Sequence, residues 1–578
     1  MDKKVYEFIS ETTHDPIVEW KTCAITGQPF AIFQSDKDLL EKISPTFGDK
    51  KYQIPTPTLC PQERQRRRFA RRNERKLYPR TCGMTGKRII SYLGEHSNIP
   101  VYELNAWFGD GRDAKKYWRD FDFTKPFFTQ FQELQSQVPQ LALSVRNSEN
   151  SDYCSFVGNV KNCYLIAGSV YSEDCYYGSP YYSRDCIDTL VIRECEDCYE
   201  CVDCRKLHGC LYCQDCHSSS ELRYCFDLKW CKNCIGCAGL RDQEYCIFNQ
   251  KKTKEEYQQF VQWIHLSDPQ TRQMLHNKLQ ELQLTIPHKY MQGEQVDRVS
   301  GNYVYQCKNT HFSFYTDRSE DCKYCQQVVD LVRCQDNNYT EENEFCYEYL
   351  WAYQNKNLHF SKFCNLMSNG FYCDACHTSS NLFGCIGIRH GEYCILNKQY
   401  TKEEYETLVP KIIEHMIQNW ERWQFFPVDI SFCRYNETVA HEYFPLSKEE
   451  VLQRWWKRQD EDCAINVPQG IETIAAQDLP NDIALVDDTI LQKAVICEDT
   501  GRPFRILRRE LEFYRRHKLS LPHKHPDQRH LLRMNMRPGR ELYLRTCDGA
   551  GEPFVSVYPS EFKGKVYCEK CYNKEVYG

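Results

Sequence analysis

The chain has 578 residues, 35 of them cysteine, and a formal net charge of −6. A chain of this length buries large cores without covalent staples, so the cysteines point to metal ligation or core packing rather than to a secreted disulfide framework. Residues 1–15 carry no apolar run followed by a cleavage site, and no stretch approaches 18 consecutive apolar residues. We therefore expect a cytoplasmic protein with reduced thiols and no membrane segment.

The N-terminal module, predicted over residues 1–125, carries two short cysteine motifs that resemble zinc knuckles. They are Cys23-Ala-Ile-Thr-Gly and Cys82-Gly-Met-Thr-Gly, and a Cys60-Pro pair lies between them. A basic stretch follows this pair and comprises Arg64, Arg66, Arg67, Arg68, Arg71, Arg72 and Arg75. A connector is predicted over 126–150.

From residue 151 onwards the cysteines fall on a lattice of three residues. Between Cys186 and Cys246 there are 13 cysteines, all at positions divisible by three, and the ten between Cys307 and Cys394 share one phase of three. An α-helix with its period of 3.6 does not hold this phase. Cys163 and Cys175 keep the spacing after a slip of one residue, which predicts a bulge near the start of the repeat.

The first repetitive block, residues 151–250, aligns in rows of 18 residues that begin at Cys195, Cys213 and Cys231. Eighteen residues in three six-residue sides is the coil of a hexapeptide-type parallel β-helix, whose coils stack about 4.8 Å apart. The predicted fold class is therefore multi-domain and mainly β. Its centre is a parallel β-solenoid of 18-residue coils in two duplicated blocks with helical insertions, and α+β zinc-finger-like modules flank it.

The second block repeats the first at an offset of 148 residues. EYCIFN at 244–249 returns as EYCILN at 392–397, and T-K-E-E-Y follows in both copies. Thr-x-x-Glu is a capping box that begins a helix. We predict a helical spacer over 251–298, the second block over 299–398, and a helical region over 399–462 in which Ser447-Lys-Glu-Glu is a further capping box.

Three interpretations of the lattice cysteines remain open. Free cysteine is among the most buried residue types, so the thiols can be core packing. They can instead form a thiolate metal site on two adjacent ladders, or a redox store of stacked thiols. The candidate ladder residues are Cys195, Cys198, Cys213, Cys216, Cys231 and Cys234.

A linker is predicted over 463–490, and the C-terminal module over 491–578 repeats the plan of the N-terminal one. It contains Cys497-Glu-Asp-Thr-Gly, His525-Pro, Cys547-Asp-Gly-Ala-Gly and Cys568-Glu-Lys-Cys571. This order is typical of a zinc ribbon or treble-clef finger, which needs four nitrogen or sulfur ligands. Ala550 stands where a fourth cysteine is expected.

Zinc is the predicted cofactor, ahead of an iron–sulfur cluster, and the C-terminal site is the first candidate. The candidate ligands are Cys547, Cys568 and Cys571, then the pairs Cys497 with His525 and Cys23 with Cys60, and Cys82. The alternative is a finger fold that keeps its packing without the metal.

The chain resembles a family of cysteine-rich proteins from metagenome-derived bacterial genomes. The resemblance lies in R-N-E-R-x-L-Y at 72–78, D-F-D-F at 120–123, P-F-F at 126–128, N-E-T-V-A-H-E-Y-F-P at 436–445 and the final V-Y-C-x-x-C-Y, and it covers nearly the whole chain. It implies this architecture, with fuller C-x-x-C knuckles in other members, and it implies no reaction.

The leading functional hypothesis is binding of RNA or a ribonucleoprotein by the basic stretches of the two end modules. Arginine pairs with phosphate and stacks on bases. The C-terminal candidates are Arg508, Arg509, Arg515, Arg516, Arg529 and Arg533.

The alternatives are a protein-interaction scaffold, favoured by the 39 tyrosines, and a metal or redox protein that uses its stacked cysteines. An enzyme is the weakest hypothesis because no phosphate-binding loop, nucleophile elbow or H-E-x-x-H motif occurs. His441-Glu442 is the one polar pair that an enzyme would draw on.

Overall fold

The computed structural model describes residues 1–47, 49–336, 343–344, 348, 355–356, 363–421, 423, 425–459 and 467–578. Cys346 of the second block, residues 460–462 of the predicted helical region and residues 463–466 of the predicted linker lie outside these ranges. Two parallel β-solenoids form the centre, which confirms the multi-domain, mainly β fold class. Within the described ranges, every helix is too short or too polar to cross a bilayer.

The N-terminal module is built from hairpins and the helices that follow them. Its antiparallel pairs are Ile17–Thr22 with Pro29–Phe33, Thr46–Phe47 with Lys50–Lys51, and Tyr78–Thr81 with Arg88–Ser91, and Val101–Tyr102 pairs in parallel with Gln140–Leu141. The helices here are α1 (Lys3–Thr13), α2 (Gln34–Ile43), α3 (Pro61–Phe69), α4 (Leu104–Phe108) and α5 (Phe127–Gln135), with 3-10 turns at Glu95–Ser97 and Ala114–Tyr117.

The first solenoid is one sheet of parallel strands closed by an antiparallel strand. Its strands are Val145–Glu149, Ser155–Lys161, Ala167–Val170, Pro180–Tyr181, Ile192–Arg193, Arg205–His208, His217–Arg223, Lys232–Ile235, Glu244–Ile247 and the closing Gln250–Lys251.

Apart from steps of eleven residues near the start of each solenoid, the coils contain twelve residues, so the predicted 18-residue coil is wrong. Ser220 pairs with Lys232, and Lys232 pairs with Glu244, always one coil apart. Because an inward residue recurs at every third position, any multiple of three fits the cysteine pattern, and only the strand register distinguishes twelve from eighteen. The predicted one-residue slip is confirmed, since Val170 pairs with Tyr181, eleven residues on, but it is a coil one residue shorter than the others and not the predicted bulge.

The coil turns at every third residue, which adopts a left-handed backbone conformation. Asp197, Glu200 and Asp203 have φ of 56°, 50° and 52°. A coil of twelve residues therefore has four corners and four short sides, and one residue of each side points inward. Aspartate and asparagine tolerate this conformation better than most residues, which accounts for their places beside the cysteines.

The inward residues are linked from coil to coil by hydrogen bonds that involve their side chains. The backbone N–H of Cys195 donates to Ser183 Oγ at 3.1 Å, one coil earlier. Where cysteine replaces serine, sulfur accepts instead, as Cys237 Sγ does from the Asn249 N–H at 3.3 Å. Cys201 accepts from the N–H twelve residues on and donates its own S–H to backbone carbonyls. The thiols thus satisfy inward amides that have no water to bond to.

A helical spacer separates the two solenoids and then pairs with the C-terminal module. It contains α6 (Lys254–Trp263), α7 (Pro269–Gln283) and the strand His288–Lys289. The Thr253 side chain accepts from the Glu256 N–H at 3.1 Å, and the Glu256 carboxylate accepts from the Thr253 N–H at 2.8 Å. The predicted capping box is therefore confirmed.

The second solenoid repeats the first. Its described strands are Gly293–Glu294, Asp297–Tyr305, Lys308–Glu320, Gln326–Val332, Asn343–Glu344, Asn355–Lys356, Asn365–Phe371, His377–Phe383, Glu392–Ile395 and the closing Lys398–Gln399. Ser380 pairs with Glu392, again twelve residues apart, and Thr401 caps the following helix as Thr253 does. The predicted duplication is confirmed.

The chain then forms α8 (Lys402–Gln418), α9 (Val439–Tyr443) and α10 (Lys448–Gln453), with 3-10 turns at Val428–Ile430 and Tyr435–Glu437. Ser447 and Glu450 form the predicted capping box. This region packs on α3, where Phe69 stacks on Tyr443 at 5.5 Å between ring centroids.

From its first knuckle hairpin onwards, the C-terminal module follows the element order of the N-terminal one. Its described residues include no counterpart of α1 or of the hairpin Thr46–Phe47 with Lys50–Lys51. Its strands are Thr473–Ala475, Ala494–Ile496, Pro503–Phe504, Tyr543–Thr546, Pro553–Ser556 and Val566–Tyr567, and its helices are α11 (Arg508–His517), α12 (Pro526–Asn535) and α13 (Glu569–Tyr577). Short 3-10 turns occupy Ala476–Asp478, Ile483–Leu485 and Asp488–Gln492. The predicted duplication of the ends is confirmed, and α12 corresponds to α3.

Replacing Cys201 tests whether the inward thiols act as hydrogen-bond acceptors. In Cys201→Ala the Cys213 amide loses its acceptor inside the solenoid, which we expect to cost about 1–3 kcal/mol. Cys201→Ser keeps an acceptor of the kind present at Ser183 and Ser219. Hydrogen exchange of the Cys213 amide should accelerate in the alanine variant and change little in the serine variant. Equal exchange in the two variants would show that the sulfur only fills space.

Candidate metal centre

Four turns in the end modules share one geometry. Each begins at a cysteine and ends at a glycine with positive φ, whose N–H donates to the cysteine carbonyl: Gly27 to Cys23, Gly86 to Cys82, Gly501 to Cys497 and Gly551 to Cys547, at 2.9–3.0 Å. Each turn faces the residue that precedes a helix, respectively Cys60, Glu103, His525 and Cys568. A knuckle set against a helix N-terminus is the arrangement in which treble-clef fingers place their ligands.

The last of these turns brings three thiols together. The sulfur atoms of Cys547, Cys568 and Cys571 all lie within 4.8 Å of one another. Cys568 is the N-cap of α13, so Cys571 lies in the first turn of that helix. Cys547 is buried, whereas Cys568 and Cys571 are partly exposed. This is the one group of three or more potential ligands found across the described ranges.

Backbone amides surround the Cys547 sulfur. It accepts from the N–H groups of Gly549, Ala550 and Cys568 at 3.4, 3.5 and 3.3 Å. Burial raises the pKa of the Cys547 thiol, but these donors outweigh burial and hold the pKa at about 7. The amides therefore stabilise negative charge on the Cys547 sulfur, as a metal thiolate requires, whereas the neighbouring Cys568 and Cys547 thiols raise the pKa of Cys571 to about 11.

The other three turns carry a threonine where Ala550 stands, and the hydroxyl contacts the sulfur. Thr26, Thr85 and Thr500 hydrogen-bond to the sulfur atoms of Cys23, Cys82 and Cys497. On the helix side, the places of Cys571 are held by Glu63, Ala106 and Gln528. A hydrogen bond from threonine to sulfur thus occupies the place where a zinc finger has its second knuckle ligand.

The two predicted ligand pairs lie together, but each is short of a metal site. A hydrogen bond from the Cys60 thiol lowers the pKa of Cys23 to about 4. The His525 N–H approaches the Cys497 sulfur, while the His525 ring accepts from the Asp527 N–H at 3.1 Å and so caps α12. Cys82 faces Glu103, whose N–H lies 3.4 Å from its sulfur.

The six ladder candidates do not lie on two adjacent ladders, because the coil has twelve residues. Cys195 and Cys231 share one side of the solenoid and Cys198 and Cys234 the next, whereas Cys213 and Cys216 occupy the other two sides. All six are buried. Cys213 contacts the thiols of Cys201 and Cys225 along its side, and those of Cys210 and Cys216 at the corners. Among the described residues, none of these thiols joins a compact group of three.

The arginines of the N-terminal basic stretch are mostly buried, and three of them form ion pairs with the second solenoid. Arg64 and Arg68 pair with Asp336, and Arg67 pairs with Glu348. The side chains of Arg64, Arg68 and Asp336 are 2%, 0% and 0% exposed. Of the others, Arg66 pairs with Glu63, Arg72 with Glu74 and Arg75 with Glu442, and Arg71 donates to the Pro427 carbonyl.

The C-terminal module makes the same contacts with the first solenoid. Arg529 and Arg533 both pair with Asp188, and Arg533 also reaches Glu200 at 3.0 Å. Burial raises the pKa of Glu200 to about 7 against the pull of Arg533. We call these two sets of buried ion pairs the arginine clamps: Arg64, Arg67, Arg68, Asp336 and Glu348 form one, and Arg529, Arg533, Asp188 and Glu200 form the other.

The acidic partners in the clamps were missed in the sequence, although a signal for them exists. Asp188 and Asp336 are 148 residues apart, as are Glu200 and Glu348, which is the offset of the solenoid duplication. Both aspartates occupy left-handed corners, with φ of 54° and 60°. Buried acids that recur at the repeat offset opposite recurring arginines would have predicted the clamps.

Arginines on α11 are exposed but also paired. Arg508 and Arg515 bind Asp488 at 3.0 and 2.9 Å, Arg509 binds Asp174, and Arg516 bridges Asp185 and Asp197 at 2.7 and 2.6 Å. The burial of Arg64, Arg68, Arg71, Arg72, Arg529 and Arg533 corrects the interpretation of the basic stretches as open nucleic-acid surfaces. The basic stretches pair mainly with carboxylates of the protein itself.

The polar pair at 441–442 is likewise a packing element. Glu442 lies 3.2 Å from His530 Nε2 and 3.7 Å from Arg75, and so joins the two end modules. His441 is stacked edge-on against Tyr435 at 5.9 Å.

The fold and the knuckles define a duplicated β-solenoid protein with knuckle–helix modules at both ends. No family model matches the chain, and no curated protein does. Among solved structures, a protein of Desulfovibrio desulfuricans G20 described as an acetyltransferase aligns with 45% of this chain and 69% of its own, at 9% identity and a TM-score of 0.11. A TM-score this low carries no argument, so function rests on the geometry above.

Replacing Asp188 tests the clamp. Asp188→Asn leaves Arg529 and Arg533 without their shared carboxylate. We expect this to lower the free energy of unfolding by about 3–5 kcal/mol, because the two guanidinium charges stay buried. Asp242→Asn is the matched control, since Asp242 is an exposed left-handed corner with no ion pair among the described residues. Peptides covering α12 should exchange hydrogen faster in Asp188→Asn alone. Similar hydrogen exchange of α12 in both variants would show that the clamp does not hold the C-terminal module on the first solenoid.

Proposed function

We propose that the protein is a non-enzymatic scaffold whose C-terminal module binds one zinc ion through Cys547, Cys568 and Cys571. The observation that carries the proposal is the approach of these three sulfur atoms to within 4.8 Å of one another. With Zn–S bonds of about 2.3 Å, the sulfur atoms of a tetrahedral site lie about 3.8 Å apart. The three thiols therefore fit a zinc ion with a small adjustment of their side chains.

Zinc fits the donor set better than the hard cations do. Thiolates select zinc and other soft ions, whereas calcium and magnesium take oxygen ligands. Ala550 contributes no donor at the fourth position, and Cys568 and Cys571 are partly exposed, so water or an added ligand completes the shell. When bound, the metal supplies binding free energy that stabilises the module.

The C-terminal module, which carries the site, contacts the helical spacer between the two solenoids. Strand Val566–Tyr567 pairs with His288–Lys289 of the spacer, and Glu569 of α13 pairs with Lys289 at 2.8 Å. Tyr572 of α13 receives a hydrogen bond from Arg241 of the first solenoid at 2.6 Å. A metal that fixes Cys547 to α13 would thus stabilise the junction where both solenoids meet the C-terminal module.

Partners of the scaffold remain predictions. The arginines on which the hypothesis of RNA binding was based form ion pairs within the protein, so the proposed function does not include binding of a nucleic acid. Binding of a protein partner remains a hypothesis. Tyr171 and Tyr182 on the first solenoid favour it, since they stack at 5.0 Å and stay 54% and 48% exposed.

Elemental analysis of protein purified under reducing conditions tests the zinc proposal. We expect close to one zinc per chain in the wild type and a loss of zinc in Cys568→Ser and Cys571→Ser. Chelation should lower the thermal midpoint of the wild type but not that of Cys571→Ser. Cys23→Ser and Cys497→Ser are matched controls, because these cysteines stand in knuckles without a group of three ligands.

A wild type that binds no zinc would contradict the proposal. So would zinc that survives in Cys568→Ser and Cys571→Ser but is lost in Cys23→Ser or Cys497→Ser, since the metal would then lie in another knuckle.

A further inference from the structure

A cavity of about 320 Å³ lies between the N-terminal module and the helical region that follows the second solenoid. Its walls come from the 3-10 turn Glu95–Ser97, the end of α5, the turn Val428–Ile430 and the residues after α10. None of the three zinc-binding cysteines lines it. The cavity is therefore independent of the proposed metal site.

Cations contribute to the lining of this cavity. Arg434, Lys457 and Arg458 contribute to its wall together with His96, and none of the described lining residues is an aspartate or glutamate. Burial lowers the pKa of Lys457; Asp429 opposes this, and Arg71 and Arg434 lower it further. The wall thus holds an excess of positive charge.

The nearest carboxylate on the His96 side already has its partners. Glu437 accepts from the Tyr78 hydroxyl at 2.5 Å and from the Arg434 N–H at 2.7 Å, and it lies 3.2 Å from His96 Nε2. It caps the turn at Tyr435–Glu437 and is not among the residues that line the cavity. Arg434 also donates to Gln459 Oε1, and Arg458 donates to the Gln459 carbonyl at 3.3 Å. Each guanidinium has further N–H donors, so the wall can still bind an external anion.

A buried amide adds a donor that the described protein atoms do not use. Gln135 is 2% exposed and lines the cavity, and its Nε2 has no acceptor among the described residues. A buried amide donor without an acceptor is costly, which favours a ligand or water at this point. Ser431, by contrast, donates to the Ala70 carbonyl at 2.8 Å and is satisfied.

Apolar side chains complete the cavity. Ile99, Ile430, Phe432 and Trp456 form the remaining wall, and Trp456 is held in place by stacking on Tyr435 at 5.2 Å. Cavities that bind small molecules begin at about 300 Å³ and combine apolar walls with a few polar groups. This cavity meets both conditions.

We propose that the cavity binds a small phosphate-bearing molecule, with the phosphate at Arg434, Lys457 and Arg458 and the organic part against Phe432 and Trp456. Guanidinium and ammonium groups are the strongest phosphate donors among side chains. Gln135 then donates to a polar atom of the bound molecule. An inorganic phosphate ion would use the cations alone, whereas a nucleotide would use the whole cavity.

Calorimetric titration of the full chain with adenosine monophosphate, inorganic phosphate and adenosine tests this proposal. We expect adenosine monophosphate to bind more tightly than either fragment, and more weakly as salt rises. Lys457→Gln and Arg458→Gln should each weaken binding about tenfold, the loss expected for one charge-assisted hydrogen bond. Lys411→Gln, an exposed lysine on α8, is the charge-matched control and should leave binding unchanged.

Three results would overturn the whole proposal, and a fourth would overturn its organic part. The first is a dissociation constant weaker than about 1 mM for both adenosine monophosphate and phosphate. The second is binding that the Lys457 and Arg458 variants leave intact while their melting midpoints match the wild type. The third is adenosine that binds as tightly as the nucleotide, because the cations would then contribute nothing. Phosphate that binds as tightly as the nucleotide would confine the site to the cations and reject the organic part.

Discussion

The solenoid depends on how its inward backbone amides are satisfied. In each three-residue side, the N–H of the inward residue points into a closed tube, where an unpaired donor costs about 1–3 kcal/mol. Where a serine or cysteine stands one coil earlier, its oxygen or sulfur accepts this N–H, as Ser219 Oγ does from the Cys231 N–H at 3.0 Å. Cysteine suits this place because it is small, tolerates an apolar setting and both accepts and donates weakly. The thiol lattice is thus accounted for as part of the hydrogen-bonding scheme.

The regular coil sets the rest of the molecule in place. Its left-handed corners repeat at fixed positions, so Asp188 and Asp336 occupy equivalent sites on the two solenoids. Arginines of α12 and α3 then enclose these carboxylates, and the clamps cross: the N-terminal module docks on the second solenoid and the C-terminal module on the first. Because the charges are buried, losing one partner is far more costly than losing a surface pair. The two clamps therefore fix the end modules to the central solenoids.

Local signals in the sequence predicted much of this fold. Sequence patterns predicted four features: the three-residue cysteine lattice, the duplication at an offset of 148 residues, the paired knuckles, and the capping boxes at Thr253, Thr401 and Ser447. Each of these could be predicted because it depends on neighbouring residues. The coil length was not, since the cysteine spacing fits twelve and eighteen equally. The arginines were misjudged because a basic helix is normally a solvated surface, and Asp336, the carboxylate that pairs with Arg64, lies 272 residues away in the sequence. The Cys547 group was predicted because Cys568 and Cys571 are close in sequence, whereas the threonines that contact the other three knuckle sulfurs were overlooked.

The central claim is that the lattice cysteines are buried structural thiols, whereas the C-terminal knuckle holds the reactive ones. Alkylation of the native, reduced and chelator-treated protein, read by mass spectrometry, tests it most directly. The account predicts rapid labelling of Cys568 and Cys571, which are partly exposed, and protection of Cys198, Cys201 and Cys213 until the protein unfolds. Rapid labelling of these three thiols in the folded protein would contradict it, because the solenoid interior would then be open to reagents and its amides to water.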